Sequence, residues 1–420
     1  MARFRFALAS AAIILKTSAF TQTPTGAPDL PEESAAGDDV PLRLSQDTQP
    51  RHATAVLALA DGTVFEGEGF GSVGEAVGEV CFNTAMTGYQ EILTDPSYAC
   101  QIVTFTFPHI GNVGVNDEDI ENASDNASMA ARGAIVRSDV SSPSNHRARM
   151  GLEAWMKRRG IIGISGVDTR ALTIRIREEG MLHGVVAYDP SGRFDRDALV
   201  QKAKAWHGLE GLDLAKEVST DRPFKAEGSG PHVVVIDYGV KQNIVNRLAA
   251  SGARVTAVPA TASADDILAM KPDGVVLSNG PGDPAATAEY AVSVIQGLME
   301  ARMPIFGICL GHQLLALSLG ARTIKMPQGH HGANHPVKEH ATGKVEIVSM
   351  NHGFAVDEAS LPDNVESTYT SLFDGTNAGI KVKDAPFMAV QHHPEASPGP
   401  EDSFGVFDKF VELVQREKAA

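Results

Sequence analysis

From His232 onward, short apolar runs alternate with amphipathic segments, and this rhythm constrains the fold more than any other feature of the sequence. The runs are His232–Asp237 (HVVVID), Arg254–Val258, Gly274–Ser278 (GVVLS) and Pro304–Ile308. Helices are expected at 241–250 and 264–270. A third carries Ala291, Val294, Ile295, Leu298 and Met299 on one stripe. Strands this uniformly apolar are covered on both faces, which implies parallel βαβ units in a doubly wound α/β sheet. In such sheets the working site lies at the carboxyl ends of the strands.

Two loops fall at those ends. Ser278-Asn279-Gly280-Pro281-Gly282-Asp283-Pro284 follows GVVL. Its glycines allow a sharp turn with exposed N–H groups suited to an oxyanion, although a plain loop would look the same. The second, Gly307-Ile308-Cys309-Leu310-Gly311-His312-Gln313, sets one nucleophile between two glycines where a strand ends. A helix over Gln313–Leu319, closed by Gly320, is expected to follow. This is the thiol form of a nucleophile elbow, and a helix N-terminus there favours thiolate.

A thiol needs a base. Phe387–Val390 is another apolar run, and Gln391-His392-His393-Pro394-Glu395 follows it. His393 with Glu395 would supply an imidazole and the carboxylate that orients it, with His392 as the competing base. His330, His331, His335 and His340 lack the cysteine or carboxylate spacing of a recognised zinc site, so no metal is expected.

Upstream, the chain mixes strands and helices irregularly, as α+β domains do. Residues 56–70 read as a hairpin about Asp61-Gly62, with strands at 79–83 and 101–106. Helices are expected at 150–159, capped by Gly160, and at 169–179, capped by Asp168. The polar stretch 219–231 reads as a linker. Residues 1–52 read as a leader: Arg3 and Arg5, an apolar stretch from Phe6 to Leu15, then Ser18-Ala19-Phe20 and an acidic, Pro-rich tail. That exit resembles two-part plastid leaders of algae, so an organelle, plastid first, is expected over cytoplasm or mitochondrion.

The formal charge is −16, and −15 without residues 1–52. An acidic body argues against nucleic-acid binding, and no apolar run reaches the eighteen residues of a membrane span. Three cysteines exclude a disulfide framework and leave Cys81 and Cys100 as plain buried thiols. Asn122 and Asn126 are incidental glycosylation matches.

Longer motifs then narrow the choice. In the first half they are Gly78-Glu79-Val80, Phe82 to Glu91 (FNTAMTGYQE), Leu93 to Tyr98 (LTDPSY), Pro108 to Gly114 (PHIGNVG) and Asp168-Thr169-Arg170. In the second they are the elbow, Gly329 to Pro336, Asn351-His352-Gly353-Phe354 and Pro394 to Pro400. The second half resembles a class I glutamine amidotransferase. The body from about 55 to 416 is similar to the small, glutamine-hydrolysing subunit of carbamoyl-phosphate synthetases.

The resemblance implies a swivelling β/β/α-like domain at 53–205, a linker at 206–231 and a flavodoxin-like amidotransferase domain at 232–416. It implies Cys309, His393 and Glu395 as the triad. Ser97, Gly280, Gly282, Leu310, Gln313, Asn351, Gly353 and Phe354 would form the glutamine pocket. It further implies no cofactor in this chain. A separate large subunit would use ammonia, bicarbonate, ATP and Mg for carbamoyl phosphate, serving arginine and pyrimidine synthesis. One departure is His392, where the family commonly has Gly or Tyr. The rivals are a stand-alone cysteine amidohydrolase or peptidase, the amidotransferase of another synthetase, and a non-catalytic scaffold. The first-half motifs count against each of the enzymes.

Overall fold

A computed structural model describes residues 52–124, 130–226 and 228–419. The leader up to Arg51 and the Asn126 site lie outside these residues. Residues 52–420 form one compact unit built around two sheets.

The first sheet closes on itself as a barrel. Its strands are β1 (Ala55–Leu59), β2 (Val64–Gly71), β3 (Gly74–Asn83), β4 (Gln101–Phe105), β5 (Gly133–Ile135), β6 (Ile162–Ser165) and β7 (Leu182–Tyr188). Around the barrel the order is β1-β2-β6-β5-β4-β3-β7. β3 to β6 run parallel, whereas β1–β2 is the expected antiparallel hairpin. Helices α1 (Tyr89–Thr94), α2 (Leu152–Arg159), α3 (Thr169–Glu179) and α4 (Arg196–Ala205) surround it. Local chemistry sets their ends as read from sequence. Asp168 accepts from Ala171 N to start α3, and Gly160, at φ 72°, closes α2.

The stretch read as a linker carries structure of its own. α5 (Ala215–Val218) lies in it, and β8 (Phe224–Ala226) pairs antiparallel with the edge of the second sheet. That sheet continues with β9 (His232–Asp237), β10 (Arg254–Pro259), β11 (Gly274–Leu277) and β12 (Ile305–Ile308). Helices α6 (Gln242–Ala250), α7 (Ala264–Ala269), α8 (Pro284–Glu300) and α9 (Leu310–Ser318) alternate with these strands. Then come β13 (Thr323–Glu339), β14 (Val345–Val356), β15 (Val365–Ser371), β16 (Asn377–Val382), β17 (Phe387–Val390) and α10 (Gly405–Ala419).

The strand order is β14-β13-β15-β16-β17-β12-β11-β9-β10-β8. Only its centre, β17-β12-β11-β9-β10, is parallel; β13 to β16 add an antiparallel extension that the sequence reading did not foresee. The doubly wound core is plain in β9. Val234 and Ile236 pack on one face with Ile295, Leu298 and Leu314, while Val233 and Val235 pack on the other with Ile244, Phe407 and Phe410. All ten are buried, each contributing about 1.5–3 kcal/mol by leaving water. No helix among the described residues is long and apolar enough to cross a membrane.

Candidate active site

The parallel strands β11, β12 and β17 end side by side, and the chemistry gathers there. Cys309 follows β12 as N-cap of α9, with φ 53° and ψ −105°. Helix α9 therefore begins at Leu310, three residues before the expected start, because the chain turns into helix immediately after the thiol. Such a backbone stores about 1–3 kcal/mol of strain and survives only where its surroundings enforce it. The two glycines do so by absence. A Cβ on Gly307 would lie 2.6 Å from Gly311 O, and one on Gly311 would collide with Leu277 O. The Cys309 N–H donates to Val390 O at 2.9 Å, tying the elbow to β17, and the Gly311 N–H donates to Ser278 O at 3.0 Å.

β17 delivers His393 to the same end of the sheet. His393 Nδ1 lies 2.7 Å from Glu395 Oε1, both side chains buried. Nδ1 being occupied, Nε2 is the ring nitrogen left to meet Cys309, whose thiol is among the groups acting on His393. Burial alone would keep this ring neutral; Glu395 and Cys309 overcome it and raise its pKa to about 10. Burial likewise works against the Glu395 carboxylate, but Lys241 and His393 hold it down to about 2. Lys241 Nζ lies 3.0 Å from Glu395 Oε1 and donates to Ala396 O. Glu121, carried by the segment between β4 and β5, meets the start of α6: its Oε2 accepts from Asn243 N at 3.1 Å and its carbonyl from Gln242 N at 2.8 Å.

His392 is no base. Its ring is fully buried against Tyr369, centroids 5.4 Å apart, and neither nitrogen has a partner. Burial lowers its pKa to about 3, so it stays neutral.

A cleft beside Cys309 is lined by Ser97, Gly280, Gly282, Gln313, Asn351, Gly353 and Phe354. Leu310 packs its side chain in the sheet core, leaving its backbone N–H as the group it can offer the cleft. As the first residue of α9 it has no intrahelical acceptor for its N–H. Ser97 arrives from the barrel side, capped by Asp95, and its Oγ accepts from Asn279 Nδ2 at 2.8 Å. Asn351 Oδ1 lies 2.9 Å from His331 Nδ1, and Asn351 Nδ2 donates to Asp95 Oδ2 at 3.3 Å. Gln313 Nε2 donates to Phe354 O at 2.7 Å.

Sequence reasoning missed Lys241, Glu121 and Gln101, the last also lining the cleft. His330, His335 and His352 cluster ring against ring, yet no group of three or more His, Cys, Asp or Glu among the described residues is placed to hold a metal. Cys81 and Cys100 are buried free thiols.

The cleft thus lies between a barrel and a doubly wound sheet. Two family models divide the chain accordingly. Residues 57–186 match the carbamoyl-phosphate synthase small chain, CPSase domain, and residues 234–413 match glutamine amidotransferase class-I. The carbamoyl phosphate synthase small chain of Caulobacter vibrioides is 62% identical over 389 residues, covering 89% of this chain and all of the relative. The chain belongs to the carbamoyl-phosphate synthase small-chain family. The small chain of Rhizobium meliloti is 61% identical over 381 residues, covering 87% of this chain and 95% of its own. Among solved structures, a glutamine amidotransferase from Thermotoga maritima covers 46% of this chain and 87% of its own at TM-score 0.34 and 18% identity, too distant to carry an argument. The family read from the motifs is therefore borne out, and both first-half and second-half motifs fall in its two matched regions.

Proposed function

We propose that this chain is the glutamine-hydrolysing subunit of a carbamoyl-phosphate synthase. The observation that carries the reading is the His393–Glu395 pair at 2.7 Å, whose remaining ring nitrogen has no other partner, beside a thiol on a strained elbow. Cys309 passes its thiol proton to His393 Nε2, and Sγ attacks the side-chain carbonyl carbon of L-glutamine, forming a C–S bond. The carbonyl oxygen becomes an oxyanion facing the Gly282 and Leu310 N–H groups. The His393 imidazolium gives its Nε2 proton to the departing nitrogen, the C–N bond breaks and ammonia leaves. Water, deprotonated by His393, then attacks the thioester carbonyl, the C–S bond breaks, the proton returns from His393 to Sγ, and glutamate leaves. Ser97, Gln313 and the 351–354 backbone hold the amino-acid end.

The ammonia passes to a separate large subunit that consumes bicarbonate and ATP with Mg. This chain needs no cofactor for its own step. Acid quenching with radiolabelled glutamine tests the mechanism: label should remain covalently on a peptide containing Cys309. Turnover with no such adduct under single-turnover conditions would count against it.

For location, we propose an organelle, plastid first, on the basic, apolar and Ser18-Ala19-Phe20 parts of residues 1–20. The bacterial relatives named above do not speak to this address. N-terminal sequencing of the protein from fractionated cells tests it; an intact Met1 in the cytosol would overturn it.

A further inference from the structure

Gln101 opens β4 and is only 3% exposed, yet it lines the cleft beside Cys309. Its amide has one permitted orientation. Nε2 lies 3.1 Å from Glu79 Oε1, and a carboxylate only accepts, so the NH2 group must point to Glu79. Glu79 Oε2 is in turn held by Lys325 Nζ at 2.8 Å, and Lys325 rests 4.7 Å over the ring of Phe354, another cleft residue. The carboxylate is thus locked between β3 and β13, and it locks the amide. Gln101 Oε1 is left without a donor among the described residues. It is a fixed acceptor at a cleft wall, backed by a negative charge.

From this we infer that Gln101 is a specificity-determining residue whose Oε1 accepts a hydrogen bond from the α-ammonium group of L-glutamine. The inference rests on the glutaminase reading above. In that reading the reacting amide lies at Cys309, between the Gly282 and Leu310 N–H groups, so the part of the cleft formed by Gln101 and Phe354 meets the amino-acid end. Of the groups there, the ammonium carries donors, whereas the α-carboxylate would face an oxygen that repels it. A donor that satisfies a buried acceptor discriminates strongly against a ligand lacking it, because the acceptor is then left unpaired.

The test compares L-glutamine with 4-carbamoylbutanoate, the same molecule without its amino group, in the assembled two-subunit enzyme. In Gln101→Leu, KM for L-glutamine should rise at least tenfold with kcat within threefold, while the inhibition constant of 4-carbamoylbutanoate stays within threefold. Gln101→Met, closer in length, repeats the measurement if the first variant does not fold. Equal weakening of both ligands, an unchanged KM, or a loss confined to kcat would overturn the assignment. Should 4-carbamoylbutanoate not inhibit even the wild type, the split between KM and kcat decides alone. A wild-type complex that fails to hydrolyse L-glutamine would instead remove the glutaminase reading.

Discussion

Lys241 Nζ sits 3.0 Å from Glu395 Oε1 with its side chain 3% exposed and that of Glu395 wholly buried. The Glu395 carboxylate is thus half of an interior ion pair, and it serves two cations at once, Lys241 and His393. Removing Lys241 leaves two buried carboxyl groups, Glu395 and Glu121, with one cation fewer between them.

Lys241→Met should therefore destabilise the protein by about 3–5 kcal/mol, the usual result of breaking a buried pair. Urea unfolding measures it. A loss below about 1 kcal/mol would show that Glu395 does not depend on Lys241 for its charge.

Stability should peak near pH 6.5, because the buried histidines pull in opposite directions. His393 is raised from 6.5 to about 10, so its contribution is complete below 6.5 and disappears as pH climbs toward 10. His312 and His392, lowered to about 3, and His331, lowered to about 4, are buried neutral; their effect is complete above 6.5 and fades as pH falls toward those values. Glu395 adds to the acid loss between 4.5 and 2. Glu91, raised to about 7 by burial, works the other way between 4.5 and 7, as do Glu121 and Asp237, but His330, His335 and His352, also lowered by burial, join the imidazoles that outnumber them. Urea midpoints across pH 4–10 give the curve. His392→Phe should raise stability by about 1 kcal/mol at pH 7, since two unpaired nitrogens disappear, and by about 2 kcal/mol more at pH 5. Glutamine hydrolysis should be unaffected; its loss would restore His392 as a base.

Gly311→Ala should destabilise by about 1–3 kcal/mol through overpacking against the Leu277 carbonyl. The strain falls on the turn that aims Cys309, so glutamine-dependent activity should drop well before ammonia-dependent activity does. Equal activity with both nitrogen sources would mean that the elbow tolerates a side chain.

Elements with local signals were legible in the sequence. β9 to β12 announce themselves as apolar runs, and α3 carries its own cap in Asp168. The antiparallel extension was not legible: β13 (TIKMPQGHHGANHPVKE) mixes buried histidines, glycines and prolines with no period of two, and bulges break its pairing with β14. α10 did carry a signal, the stripe Val406, Phe407, Phe410, Val411 and Val414. At the site, Cys309 and His393 lie in short motifs with their glycines and proline. Lys241 looks in sequence like any lysine before a helix, and Gln101 like any polar strand residue. Their roles exist only once barrel and sheet meet.

The central claim is that Cys309 is the nucleophile that turns glutamine into ammonia for a partner. The most direct measurement is carbamoyl phosphate synthesis by the assembled Cys309→Ser complex, with glutamine and with ammonium as nitrogen source. Glutamine-dependent synthesis should fall at least a thousandfold, roughly 4 kcal/mol of transition-state stabilisation, while ammonia-dependent synthesis stays within twofold of wild type. Full glutamine-driven synthesis by that variant would contradict the account.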